Sequence, residues 1–454
     1  MEKASRGSFS GRIGFVLATT GSAVGLGNIW RFPYLAAQYG GGMFLLVYVI
    51  LMITFGYAMI VSETSIGRLT RKSAVGAFGH FSNGIFGKFG GWINAIIPML
   101  IVSYYTVIGG WVCKYLFEYI LGNVHPLAED AYFGGFVSNA ASSEVWFVVF
   151  SFLTLLIVFI GVEKGIERVA KFMMPCLILL ALIITVYSVT RPGALEGVKY
   201  FLIPNFEHFS LMTVVAALGQ MFYSLSIAMG ILITYGSYMK KDVDIEKSAL
   251  QIGFLDTGIA ILCGLMIIPA VFAFSGGNPE MLKAGPSLMF NMIPKIFESM
   301  GFGMPVGIMF FTLVFFAALT SAISLAETCV STFVDEMRLS RRKACVAVGL
   351  FILFLGSVTS LGFSSLSFIS VAGMSVLDLL DFVSNSIMMP IAGISICLFI
   401  VFFVGVKKIE EEVTESSAFK GRKVYGFVVK YIAPIFIGII LLTSLAKVLG
   451  LINF

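Results

Sequence analysis

Long apolar runs, each closed by charged residues, proline or glycine, dominate the chain. Since about 20 apolar residues make one helical membrane span, eleven of these runs are long enough to cross a bilayer. Their predicted bounds are 12–36, 42–70, 90–121, 145–161, 166–190, 211–239, 244–275, 303–337, 343–361, 367–405 and 426–450. Continuous runs favour helices over the short alternating segments of an outer-membrane barrel. The pattern therefore predicts an all-α integral membrane protein.

Composition agrees with this pattern and excludes several classes of function. Hydrophobic residues make up 58% of the 454 residues and charged residues only 12%, which is far from the composition of soluble proteins. The net charge is +5, but the basic residues cluster at span ends, so no nucleic-acid partner is expected. The six cysteines lie in apolar stretches without CxxC spacing, and neither disulfides nor zinc is expected.

The positions of lysine and arginine predict the orientation. Most of the 30 basic residues flank one set of span ends, which the positive-inside rule places in the cytoplasm together with the N-terminus. Residues 1–11 are polar, lack a cleavage site and are expected to remain as a cytoplasmic tail. An odd number of spans then places the C-terminus outside. We expect a multi-pass protein of the plasma membrane.

Two spans contain sequence that a regular helix tolerates poorly. Residues 21–28 of the first span include three glycines, which cost roughly 3 kcal/mol of helix propensity. The middle of the sixth span combines Gln220, Ser224, Ser226 and Gly230. Glycine alone is also explained by close helix packing, whereas polar side chains beside glycine favour unwound segments.

Breaks at the start of each five-span half are typical of transporters built from inverted repeats. The predicted organisation is a 5+5 inverted repeat with discontinuous first and sixth helices. Residues 12–190 would form the first repeat, 211–405 the second, and 426–450 an eleventh helix.

Specific motifs add a family resemblance. The segment Gly25-Leu-Gly-Asn-Ile-Trp-Arg-Phe-Pro-Tyr34, followed by three glycines at 40–42, resembles the signature of the neurotransmitter:sodium symporter family. Its bacterial members include amino-acid carriers such as the leucine transporter. Shorter matches occur at residues 63–68, 104–105, 164–168, 237–242 and 319–321. The resemblance implies sodium-coupled symport by alternating access and no enzymatic activity. Family members typically have twelve spans, so the oligomeric state of an eleven-span chain stays unpredicted.

The resemblance also implies two sodium sites at the breaks. Sodium is a hard cation that prefers oxygen ligands, and an unwound helix offers free carbonyls. The first site would use the substrate's carboxylate with Ala23, Asn28, Ser224 and Asp256. The second site would use Gly21, Val24, Ala317, Thr320 and Ser321. Two sodium ions are the expected cofactors, and no chloride is expected.

The sequence position of Asp256 indicates a functional role independently of the resemblance. It lies about a dozen residues beyond the charged turn at 241–242, far enough at 1.5 Å per residue to reach the bilayer centre. A charge there costs at least ~2.5 kcal/mol and usually marks an ion or proton pathway. The alternative is a helix-start residue near the cytoplasmic surface. Because animal family members use a bound chloride nearby as counter-charge, an internal carboxylate predicts chloride-independent transport.

The groups at the breaks suit an α-amino acid. Amides around Leu26 and Gly27 and the hydroxyl of Tyr105 would bind its carboxylate, while Ser226 and carbonyls of the sixth span would bind its ammonium. The first span has no acidic residue of the kind with which amine transporters hold their substrate. The remaining pocket is apolar, which suits an aliphatic or aromatic L-amino acid. The full implied substrate set is Ser22, Ala23, Leu26, Gly27, Ile101, Tyr105, Tyr223, Ser224, Ser226, Met229, Ala322 and Leu325.

Gates on both sides of the site are implied by the same resemblance. The outer gate would consist of Arg31, Asp381 and Tyr223. The inner gate would consist of Arg6, Phe9, Ser237, Tyr238, Glu327 and Asp335, with Phe9 standing where the family usually has tryptophan. Gly165 and Pro175 could let the fifth span unwind, although a simple proline kink is the alternative.

Two other functions stay open at this point. A proton-coupled amino-acid transporter of the same fold is possible, since Asp256 or Glu63 could titrate. A channel or receptor that binds an amino acid without moving it is the other alternative. The expected partners are a small amino acid and the lipid bilayer.

Overall fold

The computed structural model describes residues 6–82, 84–277, 282, 286–299, 302–371 and 373–448. Residues 1–5 of the predicted tail and 449–450 of the predicted eleventh helix lie outside these ranges. Over the described residues, nine helices are long and apolar enough to cross a membrane, and the first helix makes a tenth if its two bent pieces count as one span. The prediction of an all-α membrane protein is confirmed. The number eleven stays a prediction, because the sixth helix consists of two short pieces.

The helices are named here by their order among the predicted spans. Their observed bounds are Arg12–Ala23 with Gly27–Gln38 for the first, then Gly42–Thr70, Ile85–Ile120, Ala140–Ile160, Val162–Val189, Leu211–Ser224 with Ile231–Ser237 for the sixth, Ile245–Ser275, Gly303–Glu336, Arg341–Leu361, Val376–Val404 and Arg422–Thr443. Shorter connecting helices include Ala74–Phe81, Asp130–Ser138, Ala194–Leu202 and Val406–Thr414. The tenth helix begins later than predicted, because the residues just before it form turns, such as that from the Ile369 amide to the Leu366 carbonyl at 2.9 Å.

Both predicted breaks are present. The first helix stops at Ala23, where Val24 turns extended with φ −76° and ψ 96°, and it resumes with a bend of 56°. In the sixth helix, Ser226, Ala228 and Gly230 have positive φ angles of 54°, 59° and 68°. Left-handed residues cannot continue a right-handed helix, so the chain unwinds from 225 to 230.

Packing places the two breaks next to each other in the protein interior. The first helix contacts the fifth, seventh and eighth helices, and the second half of the sixth helix packs closely on the second helix. Glycine permits that approach: a Cβ at Gly67 would lie 2.0 Å from the Ile233 carbonyl oxygen, and one at Gly236 would lie 2.4 Å from that of Thr64. The broken helices are therefore enclosed by unbroken ones, with polar backbone facing protein rather than lipid.

Candidate functional site between the two broken helices

A small cavity of about 30 Å³ lies where the two breaks face each other. All of the predicted substrate residues line it except Ala322. Ala322 is fully buried, and it follows Ser321 by one helical position, which turns its side chain about 100° away. Three lining residues were not in the predicted substrate set, namely Gly25, Ile231 and Ser321, of which Ser321 was expected only at the second sodium site.

Hydrogen bonds join the two breaks around this cavity. The hydroxyl of Ser226 donates to the Ser22 carbonyl at 3.2 Å, and the two serine hydroxyls are also 3.2 Å apart. The amide N–H of Leu26 donates to the hydroxyl of Tyr105 at 3.2 Å. At Gly25 a Cβ would lie 2.8 Å from that tyrosine oxygen, so only glycine fits there. One end of the cavity thus carries backbone amide and hydroxyl groups.

Asp256 lies beside the cavity, fully buried. Its carboxylate accepts hydrogen bonds from Asn28 Nδ2 at 2.8 Å, from Ser224 Oγ at 2.9 Å and from the Tyr48 hydroxyl at 3.2 Å. Ala23, the fourth residue expected here, is buried at the end of the first helical piece. The three donors are neutral, so they stabilise the carboxylate without balancing its charge. This arrangement suits a bound cation. Tyr48 was not expected from the sequence, because a tyrosine in an apolar span carries no signal of its partner.

A second group of oxygens lies between the first and eighth helices. The hydroxyl of Ser321 is 3.3 Å from the Gly21 carbonyl oxygen, 3.1 Å from that of Ser22 and 3.4 Å from that of Val24. The hydroxyl of Thr320 instead donates within its own helix, to the carbonyls of Phe316 at 2.9 Å and Ala317 at 3.2 Å. The structure therefore brings Ser321 to the carbonyls of Gly21 and Val24, with the Ser22 carbonyl as an additional oxygen, whereas Thr320 and Ala317 bond to each other within the eighth helix.

The outer gate residues lie close together, but they do not form the pair that the sequence suggested. The Arg31 guanidinium lies over the Tyr223 ring, 5.1 Å from its centroid. The Asp381 carboxylate accepts from the Tyr104 hydroxyl at 3.0 Å and from Asn385 Nδ2 at 2.6 Å. Within the described parts of the chain, no ion pair joins Arg31 to Asp381. Each side chain is held by a nearer partner.

The inner gate residues form one connected network. Arg6 makes two bonds to the Asp335 carboxylate at 2.9 and 2.8 Å, and it donates to Ser237 Oγ at 2.8 Å and Ser331 Oγ at 2.9 Å. The Phe9 ring packs edge-on against Tyr235 at 5.5 Å. This network ties the residues before the first helix to the sixth and eighth helices.

The remaining two inner gate residues continue this network. The Tyr238 hydroxyl donates to Glu327 at 2.7 Å, and Glu327 is also paired with Arg341 at 2.6 Å. Sequence reasoning treated Arg341 only as an orienting charge and did not single out Ser331. In the fifth helix, Gly165 and Pro175 lie within the continuous helical stretch Val162–Val189. Unwinding there stays a prediction.

Comparison with known proteins agrees with this architecture. The family model described as Sodium:neurotransmitter symporter family matches residues 6–128 and 136–452. The chain is 35% identical over 451 residues to the sodium-dependent transporter YhdH of Bacillus subtilis, covering 98% of each protein. It is 32% identical over 454 residues to a sodium-dependent transporter of Haemophilus influenzae, covering 97% of this chain and 98% of the relative.

One solved structure is similar over nearly the whole chain. The crystal structure of MhsT in complex with L-phenylalanine superposes with a TM-score of 0.87 at 38% identity, covering 97% of this chain and 100% of MhsT. Three observations agree on the family: the sequence motifs, the two broken helices and these full-length matches. The chain belongs to the sodium:neurotransmitter symporter family.

Proposed function

We propose that the protein is a sodium-coupled symporter for a hydrophobic L-amino acid. Family membership identifies a multi-pass, sodium-dependent membrane transporter and not an enzyme. The finer proposal is carried by the cavity, which has amide and hydroxyl groups at one end and apolar side chains at the other. An α-amino acid with an apolar side chain has the same distribution of groups. MhsT, whose crystal structure contains L-phenylalanine, supports this class of substrate.

The first break would receive the substrate's carboxylate. The Leu26 amide and the Tyr105 hydroxyl already bond to each other at 3.2 Å, and both are hydrogen-bond donors that a carboxylate could accept from. The ammonium would bind the Ser226 hydroxyl and carbonyls freed by the unwound sixth helix. The side chain would lie against Ile101, Met229 and Leu325. A cavity of about 30 Å³ must widen to admit an aromatic ring, and flexible Met229 is suited to that adjustment.

One sodium ion would bind beside Asp256. The Ser224 hydroxyl lies 2.9 Å from the Asp256 carboxylate and 3.2 Å from the amide oxygen of Asn28, and all three groups are hard oxygen ligands. The Ala23 carbonyl and the substrate's own carboxylate would complete the shell. Because ion and substrate share a ligand, each raises the affinity for the other, which couples the two.

A second sodium ion would bind between the first and eighth helices. The Gly21 and Val24 carbonyls and the Ser321 hydroxyl meet there, with Thr320 directly before Ser321 and Ala317 one turn earlier. This ion would hold the first half of the first helix against the eighth. Its loss would free that half-helix to move, as alternating access requires.

Transport would proceed by opening one gate at a time. The inner network around Arg6 is closed, so the site in this conformation would be loaded from the side of Arg31 and Asp381. We place the N-terminus in the cytoplasm and the C-terminus outside, on the distribution of basic residues. The inner gate then faces the cytoplasm, and the substrate moves inward with sodium.

Uptake into proteoliposomes tests the proposal. An inward sodium gradient should drive a radiolabelled hydrophobic amino acid above its equilibrium concentration, and competition by all twenty amino acids identifies the substrate. Accumulation in sodium-free buffer under a pH gradient would instead support proton coupling. Binding without accumulation would support a receptor or channel.

Chloride independence rests on Asp256. Two sodium ions and a zwitterionic substrate leave excess positive charge in a low-dielectric site, and the carboxylate offsets part of it. Replacing chloride with gluconate should leave uptake unchanged. Asp256→Asn should abolish uptake or make it chloride-dependent. Normal uptake by Asp256→Asn in gluconate would refute the assignment.

A further inference from the structure

A contact outside the inner gate ties the start of the first helix to the fifth helix. Glu167, in the first turns of the fifth helix, is 1% exposed. Its carboxylate accepts the Ser10 amide N–H at 2.8 Å and the Ser10 hydroxyl in a short bond, and it pairs with Lys171 at 2.6 Å. The first helix begins at Arg12, two residues beyond Ser10. The carboxylate therefore lies at the positive end of that helix's dipole, where a negative charge is stabilising.

The contact involves three helices. One turn into the first helix, a Cβ at Gly14 would lie 2.2 Å from the Glu167 carboxylate oxygen, so the helix lies directly on this side chain. The Ser10 carbonyl in turn accepts from Lys240, which follows the sixth helix, at 2.9 Å. Both oxygens of Glu167 are thus engaged, and they hold backbone as well as side chain. An acidic residue without partners would not be buried here, because burying an unpaired charge is costly.

The position of Glu167 connects this contact to the fifth helix's expected unwinding. Gly165 lies two residues away, and a Cβ there would lie 2.3 Å from the Ile157 carbonyl oxygen. The turn that contains Gly165 therefore also positions Glu167. If this turn unwinds, the Glu167 carboxylate moves away from Ser10.

We propose that Glu167 is a second inner lock, which releases the first helix when the fifth helix unwinds. The inference rests on the alternating-access function proposed above. Arg6 holds the chain before the first helix to the eighth helix through Asp335, whereas Glu167 holds it to the fifth. The half-helix Arg12–Ala23 is fixed from two sides, and the carbonyl of Gly21 near its far end belongs to the second sodium site. Release of the lock would open that site to the cytoplasm.

Hydrogen–deuterium exchange of the purified full-length protein tests this lock without requiring transport. Glu167→Gln keeps the shape but removes the charge and one acceptor. Peptides covering residues 12–23 should exchange about tenfold faster, the factor expected for loss of a hydrogen bond to a charged group. Peptides from Arg341–Leu361 should not change. Glu163→Gln is the matched control, because Glu163 is an exposed carboxylate in the same turn, and it should exchange like the wild type.

Further comparisons separate the possible outcomes. Wild-type exchange in Glu167→Gln overturns the proposal, and so does a uniform increase in all peptides, which would show general destabilisation. Glu167→Asp, with the charge retained, should give an intermediate rate. The wild type should exchange more slowly over residues 12–23 in sodium than in potassium. If it does not, while Glu167→Gln still accelerates exchange, the lock stands and the second sodium site fails.

Discussion

Thr320 and Ser321 are neighbouring hydroxyl residues whose side chains point to different partners. Only Ser321 faces the carbonyls of the first break, while Thr320 bonds to its own helix. We predict that Ser321→Ala raises the sodium concentration for half-maximal substrate binding about fivefold, because one lost oxygen corresponds to roughly 1 kcal/mol. Changing both residues to alanine should raise it tenfold or more. Sodium titrations of equilibrium binding measure both shifts.

Thr328→Ala is the control for this pair. Thr328 is buried two turns further along the eighth helix, and its hydroxyl donates only to the Ser324 carbonyl, at 2.8 Å. The Thr328→Ala variant should therefore show the sodium dependence of the wild type. An unaltered sodium titration in the double variant would remove these residues from the second site.

Asp381 illustrates a gate residue whose partner could not be read from the sequence. Its carboxylate is held by Tyr104 and Asn385, while Arg31 lies on Tyr223. We predict that Asp381→Asn slows transport several-fold but changes equilibrium substrate binding little, because its hydrogen bonds to Tyr104 and Asn385 hold the gate and not the substrate cavity. Exposed Asp378 provides the control, as Asp378→Asn. Wild-type turnover in Asp381→Asn would show that this carboxylate does not gate.

The sequence identifies residues whose polarity is unusual in a membrane span. It does not identify residues whose role depends only on a contact with a distant partner. An aspartate or a serine–threonine step at mid-membrane is conspicuous, so Asp256 and Ser321 could be selected. Tyr48 could not, and Glu167 stood out only as part of the matched segment 164–168, since their partners Asp256 and Ser10 are far away in the chain. A long side chain such as Arg31 has several partners within reach, and only packing decides among them.

At the scale of elements, Pro175 has a testable role in the fifth helix. Proline removes one backbone hydrogen bond there and lowers the cost of unwinding. Pro175→Ala should restore that bond and slow turnover several-fold, with equilibrium binding of substrate within a factor of two. Pro269→Ala in the seventh helix is the matched control, because that proline also lies inside a helix. Faster or equal turnover in Pro175→Ala would contradict the unwinding role.

The breaks were predictable as elements because a helix interrupted inside a membrane needs both flexible backbone and polar partners. Residues 21–28 and 220–230 provide both. The finer bounds were not predictable. The second half of the sixth helix is only seven residues long, and hydropathy cannot distinguish it from a continuation of the first half. The tenth helix begins late for a similar reason, since apolar turn residues precede Val376.

At the scale of the whole molecule, the connection between the tenth and eleventh helices is fastened to the core. The guanidinium of Arg68, fully buried at the end of the second helix, donates to Glu412 Oε1 at 2.7 Å and to the Val243 carbonyl at 2.6 Å. Lys241 also binds Glu412, at 2.9 Å. Arg68 and Glu412 lie 344 positions apart, so the sequence identified Arg68 as an orienting charge in the matched segment 63–68 but did not reveal its partner. This contact fixes the segment Val406–Thr414 against the second helix and the turn between the sixth and seventh helices.

The two charges of this buried pair should differ in their effect on stability. Glu412→Gln leaves the Arg68 guanidinium buried without a counter-charge, and we predict a loss of about 3 kcal/mol in the free energy of unfolding. Arg68→Met should cost less, because Lys241 still neutralises Glu412. Thermal unfolding in detergent measures the order of the variants. Glu411→Gln, whose exposed pair with Lys407 spans 3.8 Å, should behave like the wild type. If Arg68→Met were the less stable of the two, the pair would matter through packing of the arginine rather than through its charge.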